Sequence, residues 1–348
     1  VAFKTITYDE IRGLVRLEDV IAPVRESFKS YSQGRANIPP VQHLEMPDRG
    51  KGALHIKTGH VEPFDFCLVK VASTFPANTR RVPPSPSING VIMVFSAVDG
   101  EPLAVLEDRA WITQARTAGA GAVAAELLAR RGAATLGIVG SGTQARLQAA
   151  AILHVLPDLR RLVVWGRTPE NARRFAEEMR AAHPRLAVEV AKSPEEAARA
   201  ADVLVTATYA GEPIVRGDWL GEGVLVIAMG ADSAFKRELD GEALLRADKV
   251  YVDSRSQNEI MAEVGHGIRE GLFDASRIDG EIGDLLLAAD RADRGHRAAG
   301  RTSDRERIVC KLTGVAVQEI FVCDYVLRSL GIAGRSRETA PELAPARA

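Results

Sequence analysis

A glycine-rich turn at the end of an apolar strand constrains this chain more than any other feature. The segment reads Leu136-Gly137-Ile138-Val139-Gly140-Ser141-Gly142-Thr143-Gln144-Ala145, which is G-x-G-x-x-A at Gly140, Gly142 and Ala145. Gly140 permits a tight turn out of the strand. Gly142 lets the backbone approach a pyrophosphate, and Ala145 allows close packing of helix on strand. A helix opening near Thr143 then turns unsatisfied N–H groups and a positive dipole end toward phosphate. A glycine pattern alone is weak; its surroundings give it force. Residues 135–139, 161–165, 186–190, 202–206, 224–228 and 249–252 are short apolar runs, with helical spacing over 144–156 and 170–182. Such runs between helices are parallel strands covered on both faces. The stretch 135–254 is therefore predicted to be a doubly wound α/β domain that binds a dinucleotide.

The end of the second strand bears on which dinucleotide. It reads Val163-Val164-Trp165-Gly166-Arg167-Thr168. No Asp or Glu is present to accept from a ribose 2′-OH. Gly166 leaves room, Arg167 supplies a cation and Thr168 a hydroxyl, so NADP(H) is favoured. The alternatives are NAD(H) or use of both, with Arg167 a solvated loop charge.

The rest of the chain reads differently. Helical spacing at 9–14 and 17–31 precedes strand-like segments at 53–58, 66–72, 90–96 and 103–106, punctuated by Pro39-Pro40 and by Val82-Pro83-Pro84-Ser85-Pro86. This suggests a separate α+β domain. Residues 117–131 are predicted to form the helix leading into the second domain. Residues 308–330 read as an apolar helix that packs back on the first domain and makes it discontinuous. The Pro-, Arg- and Glu-containing tail from Gly334 is expected to be disordered.

A length of 348 residues suits about two domains. The net charge of −1 argues against a protein that binds nucleic acid by neutralising phosphates. No apolar run approaches the ~20 residues of a membrane helix. The first residues show no secretory pattern, so a soluble cytoplasmic enzyme is expected. Cys67, Cys310 and Cys323 are odd in number and widely spaced, and are expected to be buried free thiols rather than a disulfide framework. The histidines show no metal-ligand spacing, and no G-x-S-x-G turn is present.

Several strings together resemble the ornithine cyclodeaminase/mu-crystallin family. They are Gly90-Val91-Ile92-Met93-Val94-Phe95 running to Asp99-Gly100-Glu101-Pro102-Leu103, Gln114-Ala115-Arg116-Thr117-Ala118-Gly119-Ala120, and the Gly140 turn. Gly230-Ala231-Asp232 with Lys236-Arg237-Glu238-Leu239, Val252-Asp253-Ser254-Arg255 and Thr313-Gly314-Val315-Ala316-Val317-Gln318 complete the set. The resemblance implies a Rossmann domain over 119–304 and a discontinuous substrate and dimerisation domain over 1–118 and 305–332, with 333–348 as the tail. It implies a homodimer and hydride transfer at the α-carbon of a small amino or imino acid. The reading is an NAD(P)H-dependent imino-acid reductase, or amino-acid dehydrogenase in reverse. The alternatives are a cyclodeaminase that keeps NAD bound and a non-catalytic, mu-crystallin-like ligand-binding protein.

The resemblance also implies site residues. Lys70 matches the lysine that binds the substrate carboxylate and relays a proton, and Arg116 the arginine between carboxylate and cofactor. Ser87 falls on a cofactor-contacting position. Thr143 and Gln144 belong to the pyrophosphate turn, Thr206-Ala207-Thr208 to the strand end near the cofactor ribose, and Asp232 to the acid beside the nicotinamide. Physical chemistry is compatible: a carboxylate needs cations, and imine reduction needs a proton donor near the hydride. From the residues alone, Arg116 at a helix start also suits a surface salt bridge, and Asp232 a cap.

There are departures from the family pattern. No arginine follows Pro39-Pro40, where the chain has Val41-Gln42-His43; that cation is absent or comes from elsewhere, Arg49 being one candidate. The cyclodeaminase glutamate that receives a distal amine aligns with Lys57. The family's late serine falls on Leu312 or Thr313, and the loop 80–86 with Arg80 and Arg81 has no counterpart. A cation at Lys57 disfavours ornithine or lysine and suits a dicarboxylic imine such as iminosuccinate. The alternative is that Lys57 points to solvent from an edge strand, with a small neutral imino acid preferred.

Overall fold

The computed structural model describes residues 3–46, 48, 52–75, 77–78, 81–83, 85–292, 295–296 and 299–332. They form two compact units. The first gathers the described residues of Val1–Arg16, Gln33–Thr113 and Ala316–Ala348; the second gathers those of Leu17–Ser32 and Gln114–Val315.

The first unit opens with β1 (Lys4–Ile6) and α1 (Tyr8–Leu14), which Thr7 and Glu10 start with a reciprocal capping box. It continues with β2 (Ala36–Asn37), β3 (Gln42–Met46), β4 (Gly52–Val61), β5 (Phe66–Thr74), β6 (Ile88–Ser96) and β7 (Pro102–Leu106). Their sheet has the order β1-β7-β6-β5-β4-β2, with β3 also pairing on β4. All pairs are antiparallel except β1 with β7. Along β5, Phe66, Leu68 and Lys70 are buried while Cys67, Val69 and Val71 are half-buried, so the sheet has two unlike faces.

The second unit starts with α2 (Leu17–Ser32) and takes in most of α3 (Trp111–Leu128). Then β8 (Thr135–Val139), α4 (Thr143–Val155), β9 (Arg161–Trp165), α5 (Pro169–Ala182), β10 (Ala187–Val190), α6 (Pro194–Ala200) and β11 (Val203–Thr206) alternate. They are followed by β12 (Leu225–Ala228), α7 (Gly241–Arg246), β13 (Lys249–Val252), α8 (Arg255–Asn258), α9 (Ala262–Arg269), β14 (Ile278–Glu281), α10 (Ile282–Arg291) and β15 (Ile308–Lys311). The strands form one parallel sheet in the order β10-β9-β8-β11-β12-β15-β13-β14. The order reverses direction between β8 and β11, the switch point at which doubly wound sheets bind ligands. Every residue of β11, β12 and β15 is buried, which is why β11 and β12 read as short apolar runs.

Three expectations need correction. Residues 17–32 pack with the second unit rather than the first. Gly283 of α10 lies so close to α2 that a Cβ there would sit 2.1 Å from the Phe28 carbonyl oxygen. Lys29 pairs with Asp290 at 2.6 Å and Arg25 with Glu126 at 2.5 Å. Second, 308–330 is not one helix. Ile308-Val309-Cys310-Lys311 enters the second sheet between β12 and β13, Gly314 turns the chain at φ +88°, and only α11 (Val317–Ser329) belongs to the first unit. Beside α11, a Cβ on Gly59 of β4 would lie 3.0 Å from Ile320. Third, the helix expected at 117–131 starts at Trp111, because Asp108 accepts from the Ala110 and Ile112 amides and caps it earlier. Of the thiols, Cys310 and Cys323 are buried but Cys67 is half-buried. The expected disorder from Gly334 lies outside the described residues.

Asp202 ties the entrances of two central strands. It accepts from the Ala134 and Thr135 amides at 2.8 and 2.9 Å and from Arg130 at 2.5 Å. Burial pushes its carboxyl up, but the Ala134 amide, Arg130 and the Thr135 amide outweigh that and hold it below the ordinary value. A carboxyl lowered by folding contributes stability that is full above its unfolded pKa and lost as pH falls through its folded one. Asp202→Asn is expected to lose about 1–3 kcal/mol of stability at neutral pH. The gap to wild type should narrow in acid. Denaturant unfolding across pH checks this, and equal midpoints at pH 7 would refute it.

Candidate nucleotide and substrate site

In the second unit the predicted nucleotide residues gather at the C-terminal ends of the neighbouring strands β9, β8, β11 and β12. Gly140 leaves β8 at φ +132°, where a Cβ would lie 2.5 Å from the Ala207 carbonyl oxygen. Only glycine fits. Gly142 precedes α4 with no side-chain cap, and no atom lies within 4 Å of where its Cβ would stand. The first turn of α4 thus has no side-chain cap, and its unsatisfied amides suit a pyrophosphate. Thr143 is exposed at this helix start and Ala145 is fully buried behind it. Gln144 differs from expectation: its amide donates to the Gln114 carbonyl at 3.2 Å, toward α3. The sequence reading missed Arg146. It donates to the carbonyls of Ser141 and Gly142 and to Glu178, and so braces the turn.

At the end of β9, Gly166 does not leave room. A Cβ there would lie 2.4 Å from Ser141 Oγ, so this glycine exists to let the phosphate turn pack against β9. Arg167 and Thr168 beside it are exposed, and Thr168 precedes α5 without a capping bond from its side chain.

The ends of β11 and β12 meet on a residue that the sequence reading quoted but gave no role. Glu238 is fully buried and accepts from Thr206 Oγ1 (2.7 Å), the Thr208 amide (2.6 Å), Thr208 Oγ1 (2.7 Å) and the Gly230 amide (2.7 Å). Burial pushes its carboxyl up; Lys311 opposes the rise and Glu263 adds to it. Thr206, itself fully buried, supports the strand end through its bond to Glu238. Asp232 follows on the loop after β12. It is exposed and accepts from Lys236 at 2.7 Å, so it caps no helix.

Arg116 is neither at a helix start nor on the surface. It lies inside α3, 6% exposed, with its guanidinium against Gly314; a Cβ there would be 2.8 Å from one of its nitrogens. The Thr313–Gly314 turn is held by buried Asp253, which accepts both amides, at 2.9 and 2.6 Å, and the Thr313 hydroxyl. Leu312 is buried.

In the first unit, Lys70 is 3% exposed and donates to Glu319 of α11 and to Thr113 at 3.1 Å. Glu319 is the partner that a lysine inside an apolar strand requires. Burial pushes the neighbouring Asp108 carboxyl up, with the Ala110 and Ile112 amides and Lys70 opposing. Lys57 of β4 stands directly opposite Lys70 in the antiparallel register, so both lie on one face of the sheet. Lys57 is not on an edge strand. β3 pairs with β4 as far as Ile56 and β2 resumes at His60, so Lys57 is half-buried at a gap between two partners. His43 and His55 extend the same face, with their Nδ1 atoms 2.9 Å apart. Ser87 lies just before β6, half-buried, and its carbonyl accepts the Phe75 amide. Arg81 is exposed; Arg49 and Arg80 lie outside the described residues. Among the described residues, no three His, Cys, Asp or Glu side chains gather as a metal site. A cavity of ≈ 580 Å³ beside Leu153, Arg160, His183 and Arg185 lies toward the opposite ends of β9 and β10 and takes no part in this arrangement.

The chain is similar to known proteins over nearly its whole length. The sequence pattern of the ornithine cyclodeaminase/mu-crystallin family matches residues 4–331. A Delta(1)-pyrroline-2-carboxylate reductase of Bacillus cereus is 34% identical over 92% of this chain and 94% of its own length. The structure of the Thermococcus litoralis Delta(1)-pyrroline-2-carboxylate reductase, in complex with NADH and L-proline, superposes with a TM-score of 0.85 at 28% identity, covering 96% of this chain and 100% of that one. The iminosuccinate reductase of Paracoccus denitrificans in complex with NAD+ superposes with a TM-score of 0.82 at 25% identity, covering 95% and 98%. From its first strand to the end of its last described helix, the chain belongs to the ornithine cyclodeaminase/mu-crystallin family.

Proposed function

We propose that this protein reduces a small α-imino acid to the amino acid with NAD(P)H, and runs the reverse dehydrogenation where concentrations favour it. As a family member with an intact phosphate turn, it is an NAD(P)-dependent oxidoreductase. The observation that carries the finer reading is Asp232: an exposed acid, hydrogen-bonded to Lys236, at the ligand-binding end of the parallel sheet. The turn at Gly140–Ala145 fits a pyrophosphate, and the cofactor held there supplies the hydride. Reduction places that hydride on the α-carbon and a proton on the nitrogen. Asp232 is the residue assigned to hold and deliver the proton. Lys70 and Arg116 are the cations assigned to the α-carboxylate, Arg116 through its bidentate guanidinium.

The cationic face around Lys57 favours an imine with a second carboxylate, such as iminosuccinate, over a diamino acid, because a lysine cannot favourably receive an ammonium. The same residue opposes a cyclodeaminase of ornithine or lysine. Arg167 and Thr168 favour NADP(H). A homodimer is supported by the other face of the first sheet, where Val69, Val71, Val91 and Met93 are half-buried and Leu44 is 55% exposed. No helix of the described residues is long and apolar enough to cross a membrane.

Arg167→Ala is expected to raise the KM for NADPH with that for NADH unchanged. The scale is about 1–3 kcal/mol, that of a charge-assisted phosphate contact. An acid at position 166 is a poor test because it would strike Ser141. Equal KM values for the two cofactors in the wild type would refute the NADP preference.

Asp232→Asn should fold and bind NADPH but lose ~10²–10⁴ in kcat, because the amide keeps the shape and cannot deliver the proton. Near-normal turnover would remove Asp232 from the proton's path.

NADPH oxidation with oxaloacetate plus ammonia, compared with pyruvate plus methylamine, tests both the reaction and Lys57. Lys57→Ala should cost about 2–3 kcal/mol in kcat/KM for the dicarboxylic imine alone. Equal losses on both substrates would overturn the role of Lys57. No oxidation with either in the wild type would overturn the reductase reading.

A further inference from the structure

Glu238 touches the two loops that leave β11 and β12, and joins them. In a parallel sheet, neighbouring strands end side by side, but the loops beyond them owe each other no hydrogen bonds; each buried amide still needs an acceptor. Here one carboxylate serves both. Oε1 accepts the Thr208 amide and hydroxyl, beyond β11; Oε2 accepts the Gly230 amide, beyond β12, and the Thr206 hydroxyl. The approach is close enough that a Cβ on Gly230 would lie 2.4 Å from Glu238 Oε1 and 2.3 Å from the Thr208 carbonyl oxygen. The Thr208 loop is in turn pressed against Gly140 of the phosphate turn through Ala207.

Glu238 is itself fixed from below. Its amide donates to Glu263 of α9 at 2.7 Å, and Glu263 pairs with Lys311 of β15 at 2.9 Å, both fully buried. Stability alone does not call for this arrangement, since buried ionic groups are often replaceable by apolar ones without loss. What an apolar side chain could not do is accept hydrogen bonds from two loops at once. Two residues past Gly230 stands Asp232.

We propose that Glu238 is a positioning residue for the reaction: it locks the Thr208 and Gly230–Asp232 backbones against each other and so sets where the Asp232 carboxyl stands over the bound cofactor. This rests on the reading of Asp232 as the proton donor. The four hydrogen bonds that the Glu238 carboxylate accepts come from the ends of β11 and β12 and none from the Gly140–Ala145 turn, so cofactor affinity and Asp232 placement separate.

The test is Glu238→Gln. Each carboxylate oxygen accepts a backbone amide, so a glutamine, whichever way it turns, points its NH₂ at one of them. In full-length protein with an unchanged circular-dichroism spectrum, kcat for the imine should fall about 10–100-fold, the range for a misplaced reacting group. The Kd for NADPH, from fluorescence titration without substrate, should stay within about threefold. In an Asp232→Asn background the same change should add less than about twofold, because both act through one group. Multiplicative losses would overturn the proposal, as would an unchanged kcat. If Glu238→Gln does not fold, Thr206→Val removes one of the four contacts, and the same two measurements apply with a several-fold kcat loss expected. If wild type reduces none of the imines offered, the reductase reading falls separately. The emission maximum of bound NADPH then decides: a shift in Glu238→Gln at unchanged Kd supports positioning at the nicotinamide end, and an unchanged emission overturns it.

Discussion

The ends of β8, β11 and β12 come closer than side chains allow, and the nucleotide half of the site depends on that approach. A Cβ at Gly140 would strike the Ala207 carbonyl, and one at Gly230 would strike Thr208 and Glu238. The strands are mostly buried Val, Leu and Ile, which hold the sheet from both sides. The glycines at their ends release the backbone just where phosphate must reach it. Ser141 against Gly166 adds β9 to the same block.

The phosphate turn was legible in the sequence because its constraint is local. Gly140, Gly142 and Ala145 lie within six residues, and the strand before and helix after are written in the same stretch. Features set by tertiary pairing were not legible. Ile308-Val309-Cys310-Lys311 suits a helix or a strand equally well. Only the slot between β12 and β13, formed by residues some sixty to eighty positions earlier, decides for strand. Residues 17–32 look like part of whatever precedes the α/β series, and the close approach of Gly283 and the pairs Lys29–Asp290 and Arg25–Glu126 show otherwise. The partner of Lys70 could not be read either: Glu319 is 249 residues away and sits in a segment that reads as apolar helix. A demand for a partner could be inferred from the burial of a lysine, but not its identity. The inference from Gly166 failed in an instructive way. The absence of an acid there is real, but the missing side chain is explained by packing against Ser141, and the evidence for the cofactor's 2′-phosphate reduces to Arg167 and Thr168.

Each unit buries a lysine against a glutamate, Lys70 with Glu319 in the first and Lys311 with Glu263 in the second, all four almost without exposure. Such pairs do little for net stability, because desolvation offsets most of the attraction. Their value is directional. Removing either member leaves an uncompensated charge, so the pair holds its two elements in one arrangement: β5 to α11, and β15 to α9. The first pair presents Lys70 on a defined face of its sheet. The second anchors Glu238 and, through it, the loops of the adjacent strands.

The face that carries Lys70 also narrows what can bind to it. Like charges directly opposite on neighbouring strands repel, and Lys57 is directly opposite Lys70. Glu319 lies on Lys70 and answers that charge first. The cross-strand pair His43 and His55, hydrogen-bonded to each other through their Nδ1 atoms, continues the same face. On the reading proposed above, a single α-carboxylate would meet one lysine. A substrate with a second carboxylate a few carbons away would meet both lysines, whereas a distal ammonium would be repelled by them. On that reading, the electrostatics of one strand pair would set a preference among imines to which the phosphate turn is indifferent.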